Sequence, residues 1–282
     1  MPLARVLAII VGLSSAFLAA SHAWAEESII LQSTTSTQNS GLLDWLLPRF
    51  EKRTGIHVKV VAVGTGQALK NAARGDGDVV LVHARRLEED FVRAGHGVDR
   101  RDVMYNDFVI VCPKDDPAGI AGLKDAAEAL RRIARTKTRF VSRGDDSGTH
   151  HKELSLWRAA GFDPRKASGK WYLEAGRGMG ATLNMATAMG ACTLTDRGTW
   201  IAHGNRGDLT IVVQGDPKLF NQYGVILVNP ERHPHVKERT ARKFIDWLTG
   251  PEGQGLIAAY RLKGRQLFFP NAAASAPKTD DK

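Results

Sequence analysis

The sequence predicts an α/β protein built of two lobes, and three observations carry that expectation. Short β-rich runs alternate with amphipathic helical patterns along the chain, the arrangement that gives mainly parallel sheets flanked by helices. This strand–loop–helix grammar runs through once by residue 111 and restarts after the turn-rich Lys114-Asp115-Asp116-Pro117. A long amphipathic helix then returns near the C-terminus, after Asn229-Pro230.

Residues 1–25 have the plan of a secretory leader: Arg5 supplies the positive start, residues 6–20 are mostly apolar, and Ala23-Trp24-Ala25 gives the small-x-small pattern of a cleavage site. The apolar run is shorter than the roughly 20 residues of a bilayer span, so cleavage after Ala25 is expected. No cysteine stands at that site for a lipid anchor, and the mature chain is expected to be freely soluble. The rest of the 282 residues suffices for two lobes of ordinary size.

Residues 28–31 read as a strand, followed by the hydroxyl run Ser33-Thr34-Thr35-Ser36-Thr37. Leu42, Leu43, Trp45, Leu46 and Phe50 then recur at helical spacing from about Gly41. Residues 58–63 form a second strand, broken by Gly64-Thr65-Gly66 before helical residues 67–74. Strand 79–82 precedes an amphipathic helix at 87–94, and strand 108–111 closes the first unit at Pro113. In the second unit a helix at 123–133 leads to strand 139–142, a loop at 143–148, and a helix running from Thr149 toward Ala160. Tyr172-Leu173 enters the run Gly176-Arg177-Gly178-Met179-Gly180, with a helix from Ala181. Residues 192–195, 209–213 and 225–228 read as further strands, and 236–248 as a helix with Ala241, Phe244, Ile245 and Leu248 on one face. The crossings between lobes are expected near Ile110 and Gly224. Lobe 1 would then hold residues 26–110 completed by 225–270, and lobe 2 residues 111–224. Residues 271–282 have the composition of a disordered tail.

The chain is basic, with 39 Lys and Arg against 30 Asp and Glu. A basic surface suits an anionic ligand, a nucleic acid or an acidic membrane. Secretion, and the scatter of basic residues without massed aromatics, argue against nucleic acid. Cys112 and Cys192 are an even pair in an oxidising compartment, which permits a disulfide. Both lie in apolar stretches, where buried free cysteine is equally at home.

Three strand-to-helix loops carry the chemistry: Ser33 to Thr37, Gly64 to Gly66, and Ser142-Arg143-Gly144-Asp145-Asp146-Ser147-Gly148-Thr149-His150. Each precedes a helix, so backbone N–H groups and the positive end of a helix dipole point into the loop. Hydroxyls add donors, and Arg143 adds a fixed charge with a planar fork. Any one loop reads most simply as an N-cap, Thr65 included. Three together, at strand ends that an open α/β sheet directs toward its ligand crevice, describe an anion site in the cleft between lobes. The expected ligand set is Ser33, Thr34, Thr35, Ser36, Thr65, Arg143, Ser147, Gly148 and Thr149. Gly178 and Gly180 carry less support: their run lacks the spacing and ribose-binding acid of a dinucleotide site.

Catalytic readings are thin. Ser147 with His150 or His151 would make a nucleophile and base, but the surrounding glycines do not form a G-x-S-x-G elbow. His150-His151 and His233-Pro234-His235 lack zinc-ligand spacing, and no P-loop occurs. Neither an enzyme nor a cofactor is expected, no metal is expected as a cation, and a monomer is expected.

The stretches STTSTQNSGLLDWLLPRFEKRTG, VGTGQALKNAARGDGDVVLVHA, MYNDFVIVCPKDDPAG, SRGDDSGTHHKE, GRGMGATLNMA and TLTDRGTW resemble, in order, the tungstate-binding proteins of ABC uptake systems. They cover most of residues 30–230. The resemblance implies a type II periplasmic binding protein fold, a periplasmic location, a membrane permease and its cytoplasmic ATPase as partners, and a tungstate ligand. The family's opening motif is three threonines and a serine, and here Ser33-Thr34-Thr35-Ser36 shortens one hydroxyl. The family's anion-holding arginine and final threonine match Arg143 and Thr149. Tungstate and molybdate only accept hydrogen bonds, which suits hydroxyls, N–H groups and one Arg. Phosphate keeps a proton and would profit from an acceptor such as Asp145 or Asp146. Sulfate is a further candidate, and nothing in the sequence separates transport from sensing. Only the resemblance selects tungsten.

Overall fold

The computed structural model describes residues 27–272. The leader lies outside the described residues, as does the expected tail beyond its first two positions. Those two are fastened down: Asn271 Nδ2 donates to Gln222 at 2.8 Å, and the Ala272 N–H donates to Gln254 at 3.0 Å.

Strand β1 (Ser28–Thr34) buries Ile29 and Leu31 and pairs in parallel with β2 (His57–Val63), register Thr34 opposite Val63. Between them lie the short α1 (Thr35–Asn39), inside the hydroxyl run, and α2 (Leu42–Thr54), which turns Leu42, Leu43, Leu46 and Phe50 inward. Helix α3 (Thr65–Ala73) leads to the fully buried β3 (Val79–Val82), parallel to β1 on its other side. Helix α4 (Arg85–Arg93) covers the first sheet and is followed by β4 (Gly97–Pro113).

Strand β4 is seventeen residues long, against the four expected. Its first half was hidden in the sequence because it is half-buried and charged. There Arg100 pairs with Glu88 and Asp102, and Arg101 with Asp99 and Asp246. In its second half the strand alternates with period two: Phe108, Ile110 and Cys112 belong to one buried cluster, Val109 and Val111 to the other.

The second unit follows as α5 (Ala126–Thr136), capped by Asp125, then β5 (Phe140–Ser142) and α6 (Gly148–Ala159). Next come β6 (Tyr172–Glu174), α7 (Met179–Met189), β7 (Thr193–Asp196), α8 (Arg197–Ala202) and β8 (Leu209–Val213). Strand β9 (Phe220–Val228) returns the chain to α9 (Glu238–Thr249) and α10 (Pro251–Ala259). The short strands β10 (Arg261–Leu262), β11 (Arg265–Gln266) and β12 (Phe269–Pro270) finish it.

The pairing is mixed rather than mainly parallel. β1–β2, β1–β3 and β5–β6 are parallel, whereas β9 is antiparallel to both β3 and β4, and β7 and β8 are antiparallel to β4. The reason is connectivity: β4 carries the chain out of the first sheet and β9 brings it back, so the two must run in opposite directions. Crossings are expected near Ile110 and Gly224. In the structure β4 changes partner between Asp107, opposite Phe220 of β9, and Phe108, opposite Asp196 of β7. Cys112 and Cys192 are joined by a disulfide that ties β4 to the entry of β7.

Candidate functional site

The parallel register of β1 and β2 brings their following loops side by side. The first turn is set by Thr34, whose Oγ1 accepts from the Thr37 N–H at 3.2 Å and contacts Ser36 Oγ at 3.0 Å. The second opens α3 at Thr65, with Gly64 as its N-cap. The third opens α6, where Ser147 Oγ caps the helix by accepting from the His150 N–H at 3.2 Å. Loops two and three touch directly, since the Gly66 N–H donates to Asp146 O at 3.4 Å.

These loops converge on a tight recess, at most about 150 Å³ with the solvent at its mouth counted, lined by Thr34, Thr35, Ser36, Val63, Gly64, Thr65, His83, Arg143, Ser147, Gly148 and Thr149. That is well below the roughly 300–1,000 Å³ of clefts for drug-sized ligands. The walls stand so close together that only a small ion in direct contact with them suits the space. Of the expected ligand set, Thr34, Thr35, Ser36, Thr65, Arg143, Ser147, Gly148 and Thr149 line it. Ser33, Gly178 and Gly180 lie outside its wall. Ser33 Oγ donates to Leu81 O at 2.9 Å, locking β1 to β3. Gly178 is exposed and caps α7, and a Cβ on Gly178 or Gly180 would meet nothing within 4 Å.

Two hydroxyls in this wall stand out. Thr65 Oγ1 and Thr149 Oγ1 are buried without any hydrogen-bond partner. Buried polar atoms are nearly always satisfied, so two orphans facing one small cavity mark a site built for an acceptor. Arg143 is only 2% exposed. Its Nε and Nη2 both engage Asp145 Oδ2, while Asp145 Oδ1 accepts from the Ser147 N–H at 3.2 Å. The turn that permits this holds Gly144 at φ 57°, where a side chain would be strained and its Cβ would lie 2.9 Å from Glu174 Cβ. Asp146 is engaged outward, accepting from His151 Nε2 at 2.8 Å, with Lys70 at 3.5 Å. No carboxylate lines the cavity.

His83 is the polar side chain of the lining that sequence reasoning missed. It follows β3, and strand ends are where open sheets hold ligands, so its position was the available signal. Its Nε2 lies 3.0 Å from Ser36 Oγ and its Nδ1 3.2 Å from Asn221 Oδ1. Burial, aided by the nearby Arg143 charge, pushes its pKa down to about 4, so it is neutral at neutral pH. Beneath the third loop, Glu153 is buried and accepts from Tyr172 Oη at 2.7 Å and Trp157 Nε1 at 3.2 Å, and burial raises its pKa to about 7. Neither histidine beside Ser147 serves it as a base. His150 Nδ1 accepts from the Asp146 N–H at 3.2 Å and His151 is held by Asp146.

Residues 20–252 match the model of the PBP superfamily domain. The chain is 50% identical over 253 residues to the tungstate-binding protein TupA of Peptoclostridium acidaminophilum, spanning 88% of this chain and 87% of that one. The chain belongs to the tungstate-binding-protein family of the PBP superfamily. Among members of this family, the TupA of Campylobacter jejuni is 43% identical over 241 residues, covering 84% of this chain and 88% of that one. A crystal structure described as the tungstate ABC transporter from Geobacter sulfurreducens superposes with a TM-score of 0.76 at 59% identity, covering 84% of this chain and all of that one. The tungstate-binding protein TupA from Desulfovibrio alaskensis gives 0.75 at 46% identity, covering 88% and 100%.

Proposed function

We propose that this protein captures tungstate in the cavity between its three loops and delivers it, in the periplasm, to the permease of an ABC importer driven by a cytoplasmic ATPase. The observation that carries the reading is a donor-rich wall: two unpartnered buried hydroxyls and a buried guanidinium, with no lining carboxylate. A fully deprotonated dianion satisfies such a wall. Each charge-assisted hydrogen bond contributes about 1.5–3 kcal/mol net, so several reach the roughly 12 kcal/mol of nanomolar binding after the costs of closure and dehydration.

Molybdate presents the same chemistry, and the names of the relatives favour tungstate over it. Phosphate is disfavoured by a specific observation: neither Asp145 nor Asp146 lines the cavity, Asp145 being occupied by Arg143 and the Ser147 N–H and Asp146 by His151. The binding-protein relatives and the helix-capping use of Ser147 likewise favour binding over hydrolysis. The leader would be removed after Ala25, leaving a soluble protein that acts as a monomer and needs no cofactor. Thermal unfolding with and without tungstate tests the reading. At a thousandfold excess over Kd the ligand stabilises the fold by about 4 kcal/mol, and an unmoved transition would refute it.

A further inference from the structure

His83 sits between the cavity and the two strands that cross between the sheets. Its ring stacks on Tyr223 with centroids 4.8 Å apart. Asn221 on β9, which contacts His83 Nδ1, lies opposite Asn106 on β4, and their amides meet at 2.6 Å. A continuous chain of hydrogen bonds therefore runs Asn106–Asn221–His83–Ser36, from the crossing strands to a hydroxyl in the cavity wall. Such a chain can run in either direction, because the network decides each carboxamide's orientation and the imidazole tautomer.

With Asn221 Nδ2 donating to Asn106 Oδ1, the chain points away from the ligand. Asn221 Oδ1 takes the proton of His83 Nδ1, so His83 Nε2 accepts from Ser36 and withdraws the one proton Ser36 could give an anion. That direction also leaves Asn106 Nδ2 buried without an acceptor, a costly state for a donor. Reversal removes both faults. We infer that the chain is polarised toward the cavity, with Asn106 Nδ2 donating to Asn221 Oδ1, Asn221 Nδ2 to His83 Nδ1, and His83 Nε2 to Ser36 Oγ. The Ser36 hydroxyl proton is then available to the anion, directly or through Thr34 Oγ1 at 3.0 Å. The Tyr223 hydroxyl lies beside Asn106 and, being both donor and acceptor, can turn its proton to the freed Asn106 Oδ1. His83 is thus a positioning residue that makes Ser36 a donor, and this role rests on the oxyanion function proposed above.

The imidazole carries a single proton at neutral pH, since burial lowers its pKa to about 4. Which nitrogen holds that proton is directly measurable. In protein labelled with ¹⁵N-histidine, long-range ¹H–¹⁵N NMR distinguishes the two tautomers, and the His83 signals are those lost in His83→Gln. The expected result is the Nε2–H tautomer, free and with tungstate. An Nδ1–H tautomer or a doubly protonated ring overturns the inference. In parallel, His83→Gln keeps an amide donor near the Nε2 position and should bind tungstate more tightly than His83→Phe. The Phe variant should be roughly tenfold to a hundredfold weaker than wild type, and wild-type affinity in it would also overturn the inference. The tautomer is read without ligand too, so that result stands whichever anion fills the cavity. Failure of the wild type to bind tungstate would instead refute the function itself.

Discussion

Arg143 concentrates the charge of the site, and its surroundings refine what its loss should do. A cleft arginine read from sequence alone belongs to no core; the structure shows a buried guanidinium neutralised by Asp145. Arg143→Ala should cost about 2–5 kcal/mol of tungstate binding by calorimetry, the order for removing one partner of a desolvated charge pair. It should also lower stability modestly, because Asp145 is left without its cation while remaining partly solvated at 16% exposure. Arg143→Lys should recover only part of the binding, keeping the charge but losing the fork. Wild-type affinity in the alanine variant would place the site elsewhere. Gly148 gives an independent steric test. A Cβ there would stand 2.9 Å from Thr65 Oγ1 and 3.1 Å from His83 Cε1, so Gly148→Ala wedges two walls of the cavity apart. Expected is a stability loss of about 1–3 kcal/mol from overpacking in a protein that still folds, with clearly weaker tungstate binding, and unchanged affinity would show that the walls need not approach so closely. At this scale the hydroxyls and Arg143 were legible because strand-to-helix loops rich in donors have one common chemical use. His83 was not, because a lone histidine after an apolar strand carries no pattern of its own.

At the scale of elements, strong periodicity was readable and charge obscured the rest. α9, with Ala241, Phe244, Ile245 and Leu248 buried, is displaced by only a residue or two from its expected bounds. The first half of β4 escaped notice because its arginines and aspartates pair with each other along the strand and with α4 and α9, leaving no apolar run to see. Helix α8 and the short C-terminal strands are too brief to establish a period. The sequence also left two states open for Cys112 and Cys192, since apolar surroundings suit both; only tertiary proximity resolves the choice. The disulfide closes a loop spanning 80 residues. Replacing both cysteines by alanine should lower unfolding free energy by about 2–5 kcal/mol in denaturant titrations. Tungstate affinity should persist under conditions where the variant remains folded, because neither sulfur borders the cavity. An unchanged denaturant midpoint would contradict the structural role given to the bond.

At the scale of the molecule, the net positive charge acquires a location. Beside the anion cavity, sharing His83 and Gly148 with it, opens a larger cleft lined also by Arg85, Arg86, His151, Lys152 and Arg158, and by no carboxylate. A cleft of one sign focuses field and accelerates arrival of opposite charge. Stopped-flow association of tungstate should therefore slow as salt rises, and the double variant Arg86→Glu with Arg158→Glu should lose most of that salt dependence while dissociation stays the same. A salt-insensitive wild-type rate would remove the steering role. The two-unit architecture was legible in the repeated grammar, whereas the antiparallel return of β9 was not, because alternation of elements does not reveal strand direction. The most direct test of the whole account is calorimetric titration of the mature protein with tungstate, molybdate, sulfate and phosphate in turn. The account predicts tight one-site binding of tungstate that excess phosphate does not displace. Preference for phosphate or sulfate, or no heat with tungstate, would contradict it.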